Sequence, residues 1–138
     1  MILDKQNAFS ESQAFTATAA SENVIDLGKG DLGNSPMEVI VNVEADLVRA
    51  AGACNVTIAL QTDDNAAFSS ATNLATATYA KAVVLAGTEL FKVKVPVGAE
   101  RYLRLNYTFD NAPDSGTMSA YLTMGGERQT NLNDLDIE

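Results

Sequence analysis

The chain has 138 residues, 46% hydrophobic and 20% charged, with a formal net charge of −9. Those values describe one ordinary globular domain, large enough to bury its own core without disulfides or metals, and they exclude disorder as its default state. Negative charge makes phosphate backbones and anionic lipid poor partners, and the absence of histidine excludes zinc hydrolases and histidine-based triads.

The opening residues, Met1-Ile2-Leu3-Asp4-Lys5-Gln6, lack the apolar stretch of a signal peptide. No apolar run reaches the roughly 20 residues of a membrane helix. Cys54 is the single cysteine, so no intrachain disulfide forms and nothing marks secretion. The sequence therefore predicts synthesis in a cytoplasm, where the sequons Asn55-Val56-Thr57 and Asn106-Tyr107-Thr108 carry no meaning. Ile2, Leu3, Ala8 and Phe9 make the N-terminal segment apolar for an exposed end. It reads as a strand that completes the core, or as an arm that adds a strand to a partner.

Period-two alternation, the mark of a half-buried strand, is the dominant signal along the chain. An Ala- and Thr-rich stretch from Gln13 to Ala19, anchored by Phe15, and a short one from Val24 to Leu27 read as strands. The alternation is clear for Met37, Val39, Val41 and Val43, with Ile40 interrupting the polar side, and then for Val56, Ile58 and Leu60. The stretch from Leu74 to Lys81 has enough alanine for a helix, but its Thr and Tyr favour a strand. Phe91, Val93, Val95 and Val97 form the next, then Leu103, Leu105, Tyr107 and Phe109, and last Met118, Ala120, Leu122 and Met124.

Turn chemistry separates these runs: a glycine-rich loop at 28–36, a loop opened by Thr62-Asp63-Asp64-Asn65, the link Pro96-Val97-Gly98-Ala99-Glu100, and the turn Pro113-Asp114-Ser115-Gly116. About eight short strands with one apolar face each must pack as two sheets or close as a barrel. The expected fold is all-β: a β-sandwich of jelly-roll type over residues 1–124, with an extended N-terminal segment. Strand order does not follow from periodicity. An acidic tail occupies residues 125–138, with Leu132, Leu135 and Ile137 as its apolar side chains. It reads as a frayed end or as an arm that orders on a partner.

Catalytic signatures are missing. Gly28-Lys29-Gly30 is followed by Gly33, one position short of a dinucleotide fingerprint, and no helix follows. Asp63-Asp64-Asn65 lacks the spacing and closing glutamate of a calcium loop, so these acids, with Asp110 and Asp114, read as solvated turn residues. No carboxylate pair is singled out for glycoside cleavage. Cys54 has no histidine to lower its pKa and reads as a small packed residue. Lys92 and Lys94 share a strand face, with Arg101 and Arg104 nearby in sequence. This basic patch on an acidic chain reads as edge protection or as a contact for an acidic partner.

Several stretches resemble one family: Met1-Ile2-Leu3-Asp4, Phe9-Ser10 and Thr16-Ala17-Thr18-Ala19-Ala20-Ser21-Glu22-Asn23-Val24-Ile25-Asp26-Leu27-Gly28; then Val56-Thr57-Ile58-Ala59-Leu60-Gln61-Thr62-Asp63-Asp64-Asn65-Ala66-Ala67-Phe68; then Val95-Pro96-Val97-Gly98-Ala99-Glu100-Arg101-Tyr102-Leu103-Arg104-Leu105-Asn106-Tyr107 and Gly116-Thr117-Met118-Ser119-Ala120. In order, and over most of residues 1–124, they are similar to the Bbp16-like capsid cement proteins of tailed bacteriophages. The resemblance implies a jelly-roll sandwich on the outer surface of the phage head, clamping neighbouring major capsid proteins and made in the bacterial cytoplasm. It implies no catalytic residue, metal or cofactor. The expected partners are the major capsid protein and the chain itself, as a homodimer or homotrimer. The residues expected at those contacts are Ile2, Leu3, Phe9, Lys92, Lys94, Arg104, Leu132, Leu135 and Ile137.

Two other classes remain in view. A carbohydrate-binding sandwich would need exposed aromatics; there is no tryptophan, but Tyr79, Tyr102 and Tyr121 fall on polar strand faces. A hydrolase with an unrecognised carboxylate site is the third.

Overall fold

The computed structural model describes residues 8–27, 37–96 and 98–124. They form strands β1 (Ala8–Ala14), β2 (Ala19–Ala20), β3 (Ile25–Asp26), β4 (Met37–Val48), β5 (Asn55–Asp63), β6 (Thr72–Ala80), β7 (Glu89–Lys94), β8 (Tyr102–Phe109) and β9 (Ser115–Met124), with one 3-10 turn at Lys81–Val83. One sheet has the order β1-β9-β4-β7, and the other the order β2-β8-β5-β6, with β3 also paired to β8. Every pairing is antiparallel. With β2 and β3 taken as one interrupted strand, this is the jelly-roll arrangement expected from the sequence.

Register follows from the apolar alternation, because slipping by one residue would turn a buried row to water. Val39, Val41 and Val43 of β4 sit opposite Leu122, Ala120 and Met118 of β9. Across the sandwich, Val56, Ile58 and Leu60 of β5 sit beside Phe109, Tyr107 and Leu105 of β8. All are buried in one continuous core. Phe15, just past β1, closes it with ring centroids 4.5 Å from Tyr107 and 5.8 Å from Phe109, spacings typical of favourable aromatic pairs. The Tyr107 hydroxyl, taken out of water, shares a hydrogen bond of 3.0 Å with Ser10 Oγ, and burial raises its pKa far above the usual phenol.

Four expectations shift. The first strand lies at Ala8–Ala14, ahead of the expected Gln13 to Ala19. Two register irregularities and a positive φ at Ser12 break its alternation, which hides the strand from a period-two reading. The strand at Phe91 ends at Lys94, before Pro96, which has no N–H to donate; Val97 lies outside the described residues. Phe91 has φ of 42° where the β4 pairing slips. β4 continues to Val48, through a stretch that shows no clean period, across two more register shifts. Gly116 belongs to β9, not to a turn, and its φ is not positive. A Cβ there would stand 2.9 Å from Leu47 Cδ1, so close approach, not φ, favours glycine, and a larger residue would make the Leu47 side chain shift. The Ala-rich β6 does form a strand, tied to β5 by the Thr57–Thr78 hydroxyl pair at 2.9 Å.

Candidate interaction surface

The residues expected at contacts do not assemble into one patch. Lys92 and Lys94 are exposed on β7, at the edge of one sheet. Arg104 lies on β8 in the other sheet, where Nε donates to Gln61 Oε1 at 2.8 Å and the guanidinium covers the Phe68 ring at 4.4 Å. Arg101 is held by Asp26 through two bonds of 2.8 and 2.9 Å. Phe9 is corrected: it is 0% exposed, packed into the core from β1, so it completes the fold instead of offering a contact. Ile2, Leu3, Leu132, Leu135 and Ile137, and with them the terminal arms, lie outside the described residues.

The tyrosines separate as well. Tyr79 is corrected from a polar face: it packs against the core, and its hydroxyl accepts the Phe91 N–H at 2.7 Å. Tyr102 and Tyr121 are half-buried on different sheets, so no aromatic platform for a sugar forms from the three. The Tyr79 bond also blunts the β7 edge, as the Glu11 N–H to Glu22 Oε1 bond of 2.9 Å blunts the β1 edge; capped edges resist unwanted strand pairing.

At one end of the sandwich, loop 64–71 meets the link from β7 to β8. Asp63 is buried there and holds the loop from within, accepting the Ser70 N–H at 2.7 Å and the Asn65 N–H at 3.3 Å. The Ser70 bond is the main reason its carboxyl titrates below the ordinary range. Asp63, Asp64 and Glu100 bring carboxylate oxygens within 4.8 Å of one another, the one place among the described residues where three metal-competent acids converge. Both Asp63 oxygens already accept backbone bonds, so its first role is to shape the loop. Asp26 and Arg101 add charge beside it, through the backbone bond from Leu27 to Arg101.

At the other end, loops 49–54, 81–88 and 110–114 are stitched together by charged groups aimed at backbone. Lys81 Nζ donates to the Arg49 and Gly52 carbonyls at 2.8 and 3.1 Å. The Arg49 guanidinium donates to the Ala112 carbonyl, and its Nε is buried with no partner. Asp110 accepts the Asn55 N–H at 2.7 Å, Asp114 the Ala50 N–H at 2.9 Å, and Asp46 the Ala86 N–H at 2.7 Å. The Asn55 bond lowers the Asp110 pKa. Cys54 is buried and donates to the Asn111 carbonyl at 3.1 Å; desolvation raises its pKa, which disfavours the nucleophilic thiolate. Beside the exposed Asp46, Asp110 and Asp114, this end also turns hydrocarbon to water: Val48, Val83 and Leu85 are 45%, 50% and 47% exposed. The sequence carries one signal for them, the unbroken apolar run from Ala82 to Ala86 inside a connector. It lacks the alternation that marks strands and so passes unassigned.

No curated protein matches the chain. The fold is similar to a solved structure described as the crystal structure of PirA, at 10% sequence identity, with 83% of this chain and 94% of that one covered and a TM-score of 0.49. The model of the Bbp16 family matches residues 9–122, from the first core residue of β1 almost to the end of β9, and the chain belongs to the Bbp16 family.

Proposed function

We propose that the chain is a structural cement protein of a tailed bacteriophage, bound to the outside of the icosahedral head, where it clamps neighbouring major capsid proteins. The observation that carries this reading is the family match across nearly the whole sandwich, joined to the cement role that the sequence resemblance implies. The architecture suits the task. A clamp must not deform when subunits pull apart, and here a continuous core and hydrogen-bonded loops hold the shape. The net charge keeps free copies soluble until a specific contact forms. As a homodimer or homotrimer the protein would grip two or three sites at once, so modest contacts suffice: linking sites raises apparent affinity by roughly 10²–10⁴-fold. Binding that favours the intact lattice over separated subunits stabilises the shell by mass action.

The test mixes the purified protein with undecorated heads of its phage. The protein is expected to co-sediment with heads and to raise the temperature at which they release DNA. Absence of both effects sinks the cement reading.

A further inference from the structure

We propose that the outer edge of β6 pairs with the same edge of a second copy, about a two-fold axis through Thr78, so that the protein is a dimer; this deepens the oligomer named above and rests on the cement reading for its role. Among the described residues the sheets end on β1, β7, β6, and β2 with β3. β1 is broken by register shifts, the positive φ of Ser12 and the Glu22 bond to the Glu11 N–H. β2 and β3 have two residues each. β7 carries Lys92 and Lys94, and Tyr79 caps its Phe91 N–H. β6 has nine residues, no charge and no proline. It is the open, regular edge that strand addition uses.

The groups on that edge follow from the ladder. The Lys81 N–H bonds the Cys54 carbonyl, and the Asp110 N–H bonds the Asn55 carbonyl. Alternating from those bonds, Ala77 and Tyr79 turn their N–H and C=O groups toward β5, and Thr76, Thr78 and Ala80 turn theirs away. With Thr78 opposite Thr78 of the second copy, the two residues exchange a pair of backbone bonds. Thr76 does the same with Ala80 on either side. The residues whose backbone points outward are therefore the ones that meet, as a two-fold contact requires. The extra residue at Leu74 ends the regular ladder beyond Ala75.

Charge selects the occupant. Copies of net charge −9 repel wherever their acids face each other, and β6 presents none. The ammonium of Lys81, the next residue, is turned to the Arg49 and Gly52 carbonyls. The β7 edge stands over β6, and the Tyr79 bond sets Phe91 level with Tyr79. The register slip there leaves Glu89, Lys92 and Lys94 exposed on one face. An axis through Thr78, normal to the sheets, carries the two β7 edges past each other in opposite directions. Glu89 of one copy then comes alongside Lys92 and Lys94 of the other. A capsid strand laid on β6 would satisfy the backbone but leave this charge match unused.

The experiment is sedimentation equilibrium of the full chain, with circular dichroism to check folding and co-sedimentation with undecorated heads in parallel. Wild type is expected to be a dimer. Thr78→Pro removes an outward N–H and keeps the β5 ladder, since proline is tolerated where an edge N–H faces solvent. Thr78→Lys sets like charges opposite each other. Each should raise the dimer dissociation constant about tenfold or more. Thr108→Lys adds the same charge to an exposed position inside the same sheet and should dimerise like wild type. Glu89→Lys should weaken the dimer severalfold, and adding Lys94→Glu should restore it. The inference fails if wild type is a monomer or a trimer, if the folded Thr78 variants dimerise like wild type, or if Thr108→Lys is equally damaged. It fails too if Glu89→Lys has no effect or is not rescued. If Thr78→Pro does not fold, Thr78→Lys decides. A monomeric wild type whose head binding Thr78→Lys abolishes also overturns it, because β6 then receives a capsid strand. A monomer that binds heads leaves the cement reading standing, and a dimer that ignores heads removes that reading but leaves the β6 pairing in place.

Discussion

The two ends of this sandwich aim carboxylates at loop backbone alike, and differ in what stands beside them. Around loop 64–71, Asp63 turns inward to the Ser70 and Asn65 amides while Asp64 stays exposed beside it. Around loops 49–54, 81–88 and 110–114, Asp46, Asp110 and Asp114 all turn to backbone amides, and valine and leucine face water. Residue type alone does not make a surface polar. The deciding factor is whether the loop backbone already uses the charge. An acidic chain can thus set valine and leucine beside exposed loop acids whose charge is already held by backbone N–H groups.

The sharpest way to break the contrast is through the core that both ends share. Leu105→Ala and Ile58→Ala, each at a fully buried site, should cost about 2–5 kcal/mol and lower both ends in one cooperative melt. Two transitions in calorimetry would instead make the ends separate units. A smaller and one-sided effect is expected from Gly116→Ala. The new methyl would press on Leu47 at 2.9 Å, costing about 1–3 kcal/mol as overpacking does. Leu47 donates to Val84, so amide exchange should quicken at Leu47 and Gly87 and stay unchanged at Ser70. Equal quickening at Ser70 would deny that the ends respond separately.

The subtlest test uses pH. Asp63 and Asp110 both titrate below the ordinary aspartate value because backbone N–H groups favour their charged forms. A lowered folded-state pKa means stability that is present above the unfolded value, about 3.9, and lost as pH falls through the folded one. Acidification below about pH 4 should loosen Ser70 at one end and Asn55 at the other. Asp63→Asn is expected to abolish the pH dependence at Ser70 alone, and Asp110→Asn that at Asn55 alone. Cross-effects between the two amides would contradict the independence of the ends.

Most of the fold was legible because burial on one sheet face writes a period of two into the chain. Leu103, Leu105 and Tyr107 carry that pattern without interruption, Val39, Val41 and Val43 carry it across the break at Ile40, and all landed in strands as expected. β1 did not, since bulges beside Ser10 and the positive φ at Ser12 spend residues off the period. Strand order was unreadable because it depends on which rows meet across the core, a relation among residues far apart in sequence. The surface was the least legible part. Lys92 and Arg104 stand close in the chain but on different sheets, while Val48 and Leu85, far apart in the chain, share an end through the bond from Leu47 to Val84. Tyr79 read as polar because its own row, Ala75 and Ala77, is too small to mark an apolar face; the β5 pairing sets that face.

The pairing of the first strand with the last has a consequence for anyone wishing to add cargo. Ala8 stands opposite Tyr121, and β9 ends at Met124 opposite Met37, while Ala14 stands opposite Thr117. The strand starting at Ala8 and the strand ending at Met124 therefore both open toward the Asp63 end, away from Val83 and Leu85. An enzyme, fluorophore or antigen spliced before Ala8 or after Met124 would emerge beside the hydrated acids. Such a fusion would leave loops 49–54, 81–88 and 110–114, at the other end of the sandwich, unobstructed.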